Sequence, residues 1–182
     1  QDPVDTGKIL DVYKNASYTK ITGGQGAYNR EHTWPNSLGF PNDGPDNYPF
    51  TDTHMLYLSD TTYNSHRGNK YFGTCTASCT EDPTQLNHGQ GGGSGVYPGN
   101  SNWYDGLNGV KYQVWSKRKG DMARAMFYMD IRYEGGTHGV TGANEPDLRL
   151  TDNADLITMS GGNASVAYMG LLSVLLQWHI DD

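Results

Sequence analysis

The chain has 182 residues, enough for one domain or at most two small ones, with 24 Gly, 13 Tyr, 4 Phe and 4 Trp, which excludes a disordered polar chain. The most apolar stretch, Val166 to Leu176, is too short and too interrupted by Gly170 and Ser173 to span a bilayer, which excludes a helical membrane anchor within it. A net charge of -7 excludes a uniformly basic surface, yet Lys111, Lys117, Arg118, Lys119 and Arg124 stand against the single acid Asp121 in one segment, a local +4.

Taken in chain order, residues 5–18 read as a helix, with Asp5 or Thr6 as cap and Ile9, Leu10, Val12 and Tyr13 as its apolar face. Residues 23–47 are loop-rich and contain the densest cluster of chemically capable side chains, YNREHTWPNS at 28–37. A short strand is expected over 54–59, then a polar helical piece over 60–70. Cys75 and Cys79 admit a small disulfide, two free thiols or half of a metal site; a secreted setting favours the disulfide. The run GQGGGSG at 89–95 is flexible by composition and reads as a surface loop. Residues 120–133 predict a helix with Met122, Met126 and Met129 as core filler and Phe127 and Ile131 widening the stripe. The last helix is expected over 164–180, capped by Asn163 and buried almost all round. There is no internal repeat. The chain starts at Gln1 without a signal-peptide pattern, as expected of a mature or trimmed chain.

Two clusters carry chemistry. Arg30, Glu31 and His32 put a cation, a hard oxygen ligand and a near-neutral base side by side. Adjacent strand residues face opposite ways, so Glu31 and His32 serve one site only if the strand bends or ends there, and Pro35 makes an ending natural. The second cluster is N-x-x-R-G-N, where Asn64 and Arg67 share a helix face and offer a neutral oxygen ligand and a phosphate donor. Asn69 reads as a turn residue and His54 as a structural, hydrogen-bonded one. Trp103 and Trp115 read as packing residues before they read as base-stacking ones.

Four blocks together resemble the endonuclease I family of extracellular and periplasmic bacterial nucleases: NREHTWP at 29–35, D-x-H-x-L at 52–56 with N-x-x-R-G-N at 64–69, KGDMARAMFYMDIRY at 119–133, and LLQWHI at 175–180. The resemblance implies an α+β fold, a ββα-metal (His-Me finger) core with surrounding helices and long loops, in a single domain over 1–182. It implies His32 as general base, Glu31 and Asn64 as ligands of Mg²⁺ (Mn²⁺ or Ca²⁺ in its place), and a backbone carbonyl of the second strand, near Phe50, orienting the imidazole. Arg67 is assigned to catalysis as a phosphate clamp on its chemistry. Arg30, Lys119 and Arg124 are candidate substrate contacts, although Asp121 at i−3 offers Arg124 a plain helix-surface ion pair. The implied activity is metal-dependent, sequence-nonspecific hydrolysis of DNA and RNA phosphodiesters to 5′-phosphate ends by a secreted or periplasmic monomer, with no protein partner and no membrane. One departure is that the family's further C-terminal segment, ending in N-R-N-P-F, is not found before Asp182. The competing reading is a secreted, non-catalytic binding module for polysaccharide or nucleic acid on the same scaffold; it has no use for a base beside a metal ligand. A phosphatase reading lacks the second metal cluster that it would need.

Overall fold

A computed structural model describes residues 1–22, 26–44, 46–160 and 165–182. The start of the loop-rich segment at Gly23 and the expected cap Asn163 therefore lie outside the described residues. The chain is mixed α+β and forms two compact units, Gln1–Glu31 with Tyr57–Lys119, and His32–Leu56 with Gly120–Asp182.

The first unit opens with β1 (Lys8–Leu10) and β2 (Ser17–Thr19), an antiparallel pair with Ile9 opposite Tyr18. This replaces the helix expected over 5–18. Asn15 takes a left-handed backbone conformation, and the Asp11 carboxylate accepts from the Lys14 and Asp60 backbone N–H groups, so the turn satisfies its donors without a helix. Ile9, Val12 and Tyr13 are buried nonetheless, as the apolar pattern requires.

Next come β3 (Tyr28–His32) and β4 (Leu56–Asp60), which pair, and α1 (Thr61–Arg67), which follows β4 directly. Asp60 caps α1 by accepting from the Thr62 and Tyr63 backbone N–H groups at 2.9 and 3.4 Å. Gly68 ends it at φ 50°, where a side chain is disfavoured, and its N–H returns to the Asn64 carbonyl at 2.8 Å. A four-stranded sheet completes the unit from β5 (Tyr71–Phe72), β6 (Thr80–Pro83), β7 (Ser101–Tyr104) and β8 (Lys111–Gln113), in the order β5-β8-β7-β6.

Its core is aromatic and its polar handles are paired. Trp115 donates to the Val12 carbonyl, and Asn102 joins the Tyr13 and Asp82 carbonyls to the Trp115 N–H. Trp103 and Trp115 are buried, so they pack and do not stack on ligands. Cys75 and Cys79 form a disulfide. The Gly-rich run is held closely, against its composition: Gly91 sits at φ 84° where a Cβ would overlap the Gln85 carbonyl, and Asn15 donates to Gln85 and Gln90.

In the second unit, residues 32–56 form a loop with one 3-10 turn, Tyr48–Thr51. Trp34 is fully buried and donates to the Leu38 carbonyl at 2.9 Å. The rest is α2 (Lys119–Arg132), β9 (Asp147–Leu150), α3 (Ala154–Met159), β10 (Val166–Met169) and α4 (Leu172–Ile180), with β9 and β10 parallel. Met122, Met126 and Met129 are buried as expected, but Ile131 is 74% exposed and Phe127 half-buried, so the stripe is narrower. Half of the helix expected over 164–180 is instead β10: Ala167 and Met169 alternate with half-buried Val166 and Tyr168, the period of a strand. The remaining half, α4, buries Leu175 and Trp178 and exposes Leu176 and Ile180, so it is not buried all round. Among the described residues, no helix is long and apolar enough to cross a membrane.

Candidate active site

Glu31 is next to last in β3 and is 1% exposed. An isolated carboxylate at such a position is costly, so it must be paired. Its Oε1 accepts from the Tyr13 hydroxyl at 2.7 Å and faces Arg67 at 3.3 Å. Arg67 is itself 1% exposed, with its guanidinium 4.9 Å over the Phe72 ring and a donated bond to the Gly68 carbonyl at 3.2 Å. Burial pushes the Glu31 carboxyl above its ordinary range, while Arg67 and Tyr13 pull it down. Burial also drives the Tyr13 phenol well above 10, so Tyr13 is a neutral donor.

Helix α1 brings Tyr63 and Arg67 to the buried side at i, i+4, with Asn64 half-buried beside them. The Asn64 Nδ2 donates to Asn29 Oδ1 at 2.6 Å and to the Arg30 carbonyl at 3.1 Å. Two acceptors on its nitrogen fix the amide's orientation and turn its oxygen away from them. The structure thus joins Glu31 to Arg67 and Tyr13, and Asn64 to Asn29 and the Arg30 backbone, two sets of contacts involving β3 and α1. Asn29 and Tyr13 belong to them and were not singled out in the sequence. Asn29 adjoins the motif; Tyr13 carried no signal beyond its apolar position.

His32 has different surroundings. Its Nε2 lies 2.9 Å from the Phe50 carbonyl, and its ring packs on Phe50 and Phe40 at centroid distances of 4.9 and 6.4 Å. A carbonyl only accepts, so Nε2 carries the proton and Nδ1 presents the lone pair. The orienting carbonyl is at the residue expected, but Phe50 stands in the 3-10 turn and not in a strand. Glu31 and His32 both lie within β3, which stops after His32, where Thr33, Trp34 and Pro35 follow.

Among the described residues, no three His, Cys, Asp or Glu side chains gather as a metal cluster. One carboxylate and one amide oxygen are a smaller set, suited to a hard cation that keeps most of its waters.

The sequence model of the family described as Endonuclease I matches residues 4–182. The chain belongs to the endonuclease I family. It is similar to the extracellular ribonucleases of Bacillus amyloliquefaciens and Bacillus subtilis (strain 168), at 36% and 35% identity over 187 aligned residues. Each alignment covers 100% of this chain and 52% of the relative, so the chain spans about half the length of these curated relatives.

The other candidate residues of this endonuclease I chain are more peripheral. Arg30 is exposed and lines a cavity of about 780 Å³ with Lys20, Ile9, Ile21, Tyr28 and Leu58. Lys119 is half-buried at the start of α2. Arg124 is exposed and bonds Asp121 and Asp182, each at 2.9 Å; the second partner, far along the chain, was not legible in the sequence. His54 is exposed, bonds Asp52 through its backbone N–H and through Nδ1, both at 2.9 Å, and stacks on Tyr128.

Proposed function

We propose that this chain is a metal-dependent, sequence-nonspecific endonuclease that hydrolyses phosphodiester bonds of RNA and DNA to 5′-phosphate ends. Membership of the endonuclease I family supports a nuclease, and the ribonuclease relatives support RNA among its substrates. Their designation as extracellular supports a secreted setting, in which the Cys75–Cys79 disulfide is at home. The strand–strand–helix order of β3, β4 and α1 supports a ββα-metal core. The protein is proposed to act as a monomer, with nucleic acid as its only partner.

The observation that carries the proposal is the bond between His32 and the Phe50 carbonyl. It holds the tautomer in which Nδ1 carries the lone pair, the atom that would take a proton from the attacking water as a general base near neutral pH. Glu31 and Asn64 would hold the cation; Oε1 of Glu31 accepts from Tyr13 and faces Arg67, and the Asn64 nitrogen is committed to Asn29 and the Arg30 carbonyl. Mg²⁺, or Mn²⁺ or Ca²⁺ in its place, would supply positive charge there for the phosphoryl oxygens and the leaving group. Arg67, expected as a phosphate clamp, is buried against Glu31 and would act by favouring and aiming that carboxylate, and Arg30, Lys119 and Arg124 serve as candidate backbone contacts.

The test is digestion of supercoiled plasmid and of a structured RNA with Mg²⁺ and with excess chelator. Cleavage of either polymer with Mg²⁺ alone, leaving ends that a phosphatase strips of label at the 5′ side, is expected. Turnover in chelator, or 3′-phosphate ends, would contradict it.

A further inference from the structure

We propose that Asp52 is a positioning residue for His32, a post that fixes the loop on which the imidazole rests. The inference builds on the reading of His32 as the base.

His32 bonds the Phe50 carbonyl, and the next residue, Thr33, sends both its backbone N–H (3.2 Å) and its hydroxyl (3.0 Å) to the Met55 carbonyl. Residues 32 and 33 therefore hang from two points of one loop, Phe50 and Met55. Asp52 stands between those points. Its backbone N–H returns to Pro49 at 3.4 Å, closing the 3-10 turn that presents the Phe50 carbonyl, and its own carbonyl accepts the Met55 N–H at 3.3 Å.

The side chain ties this loop to α2 and to the residue that follows it. Oδ2 accepts from the Tyr128 hydroxyl at 2.9 Å and the Tyr133 hydroxyl at 2.7 Å, while Oδ1 accepts from the His54 N–H and Nδ1. Four donors on one carboxylate leave it little freedom to move. Burial would raise its proton affinity, but the His54 N–H, Tyr133, the His54 ring and Tyr128 outweigh that and hold it below its ordinary range. Among the described residues 33–55 the one regular element is the 3-10 turn, and the Asp52 carboxylate ties that turn to Tyr128 of α2 and to Tyr133. A carbonyl displaced by a fraction of an ångström changes the imidazole's direction, and rates respond steeply to such displacements.

The test compares the wild type with Asp52→Asn, Tyr128→Phe and Tyr133→Phe. Asn keeps the shape but accepts through one oxygen only; each Phe removes one hydroxyl and keeps the packing, and provides the test should Asp52→Asn fail to fold. The readouts are kcat and KM on a short RNA with Mg²⁺, the pH–rate profile, and ¹⁵N shifts of the His32 ring. The expected result is a fall in kcat of up to about 100-fold with KM held within about twofold, and His32 moving from the pure Nε2–H tautomer towards a mixture. The acidic limb of the pH profile should move with it. A folded Asp52→Asn, or folded Phe variants, with the wild-type His32 spectrum and profile would overturn the proposal and leave Asp52 a stabilising residue only. Failure of the base reading shows elsewhere: His32→Ala would then retain turnover, whatever the spectra of the Asp52 variant.

Discussion

The Glu31–Arg67 pair sets the energetics of the site. Each residue is 1% exposed, so removing one partner strands the other without compensation. Arg67→Met should lower stability by roughly 3–5 kcal/mol. Added Mg²⁺ should recover part of that loss by neutralising Glu31. Denaturant midpoints with and without Mg²⁺ check this, and an unchanged midpoint would count against the buried pair. Asp11 makes a second prediction. Burial raises its pKa from 3.8 to about 6. A carboxyl that binds its proton more tightly when folded costs nothing below the unfolded pKa, and its cost grows as pH rises to about 6 and stays above it. The rise corresponds to roughly 3 kcal/mol. Asp11→Asn should remove that slope between pH 4 and 6, although losing one backbone acceptor lowers the whole curve. Urea titrations at closely spaced pH values distinguish slope from offset.

Helix α1 is only Thr61–Arg67, too short to persist by propensity, so its cap and its packing must hold it. Asp60→Ala should cost about 1 kcal/mol for the cap, plus the Lys14 ion pair at 2.7 Å, and should lower the cleavage rate by loosening Asn64. Asp60→Asn, a competent cap, should restore the rate more than the stability; thermal melts beside kcat measurements show whether it does. Reducing Cys75–Cys79 closes no large loop and should cost roughly 2 kcal/mol, read as a shift in midpoint with reductant. The same scale shows what could be read in advance. Helix α2 was legible because its Met residues repeat at helical spacing and no turn residue interrupts them. Residues 5–18 were not, because an Asp11 side chain and a left-handed Asn15 decide for a hairpin, and neither choice is visible in apolar periodicity. Residues 166–180 are mostly apolar in sequence despite Gly170 and Ser173; that the first part is a strand and not helix depends on the pairing of β10 with β9.

For the whole molecule, the charge of -7 makes electrostatics local. Arg30→Ala and Lys119→Ala should each reduce the salt slope of binding by about one phosphate. Arg124→Ala should reduce it by less, because Asp121 and Asp182 already offset part of that charge. Fluorescence titrations of labelled RNA over a range of salt report each slope. The candidate site was half legible: Glu31, His32, Asn64 and Arg67 stand in two short motifs whose chemistry is recognisable residue by residue. The partners that make them work were not, since Tyr13 and Asn29 enter by tertiary approach and the anchoring of the Phe50 carbonyl runs through Tyr128 and Tyr133, far along the chain. The central claim is that His32 is the base. Its most direct measurement is single-turnover cleavage of plasmid and RNA by His32→Ala at saturating Mg²⁺, with binding of the uncut substrate followed in parallel. The account predicts a rate lower by about 100- to 10,000-fold with binding retained. A folded variant that cuts at the wild-type rate would contradict it.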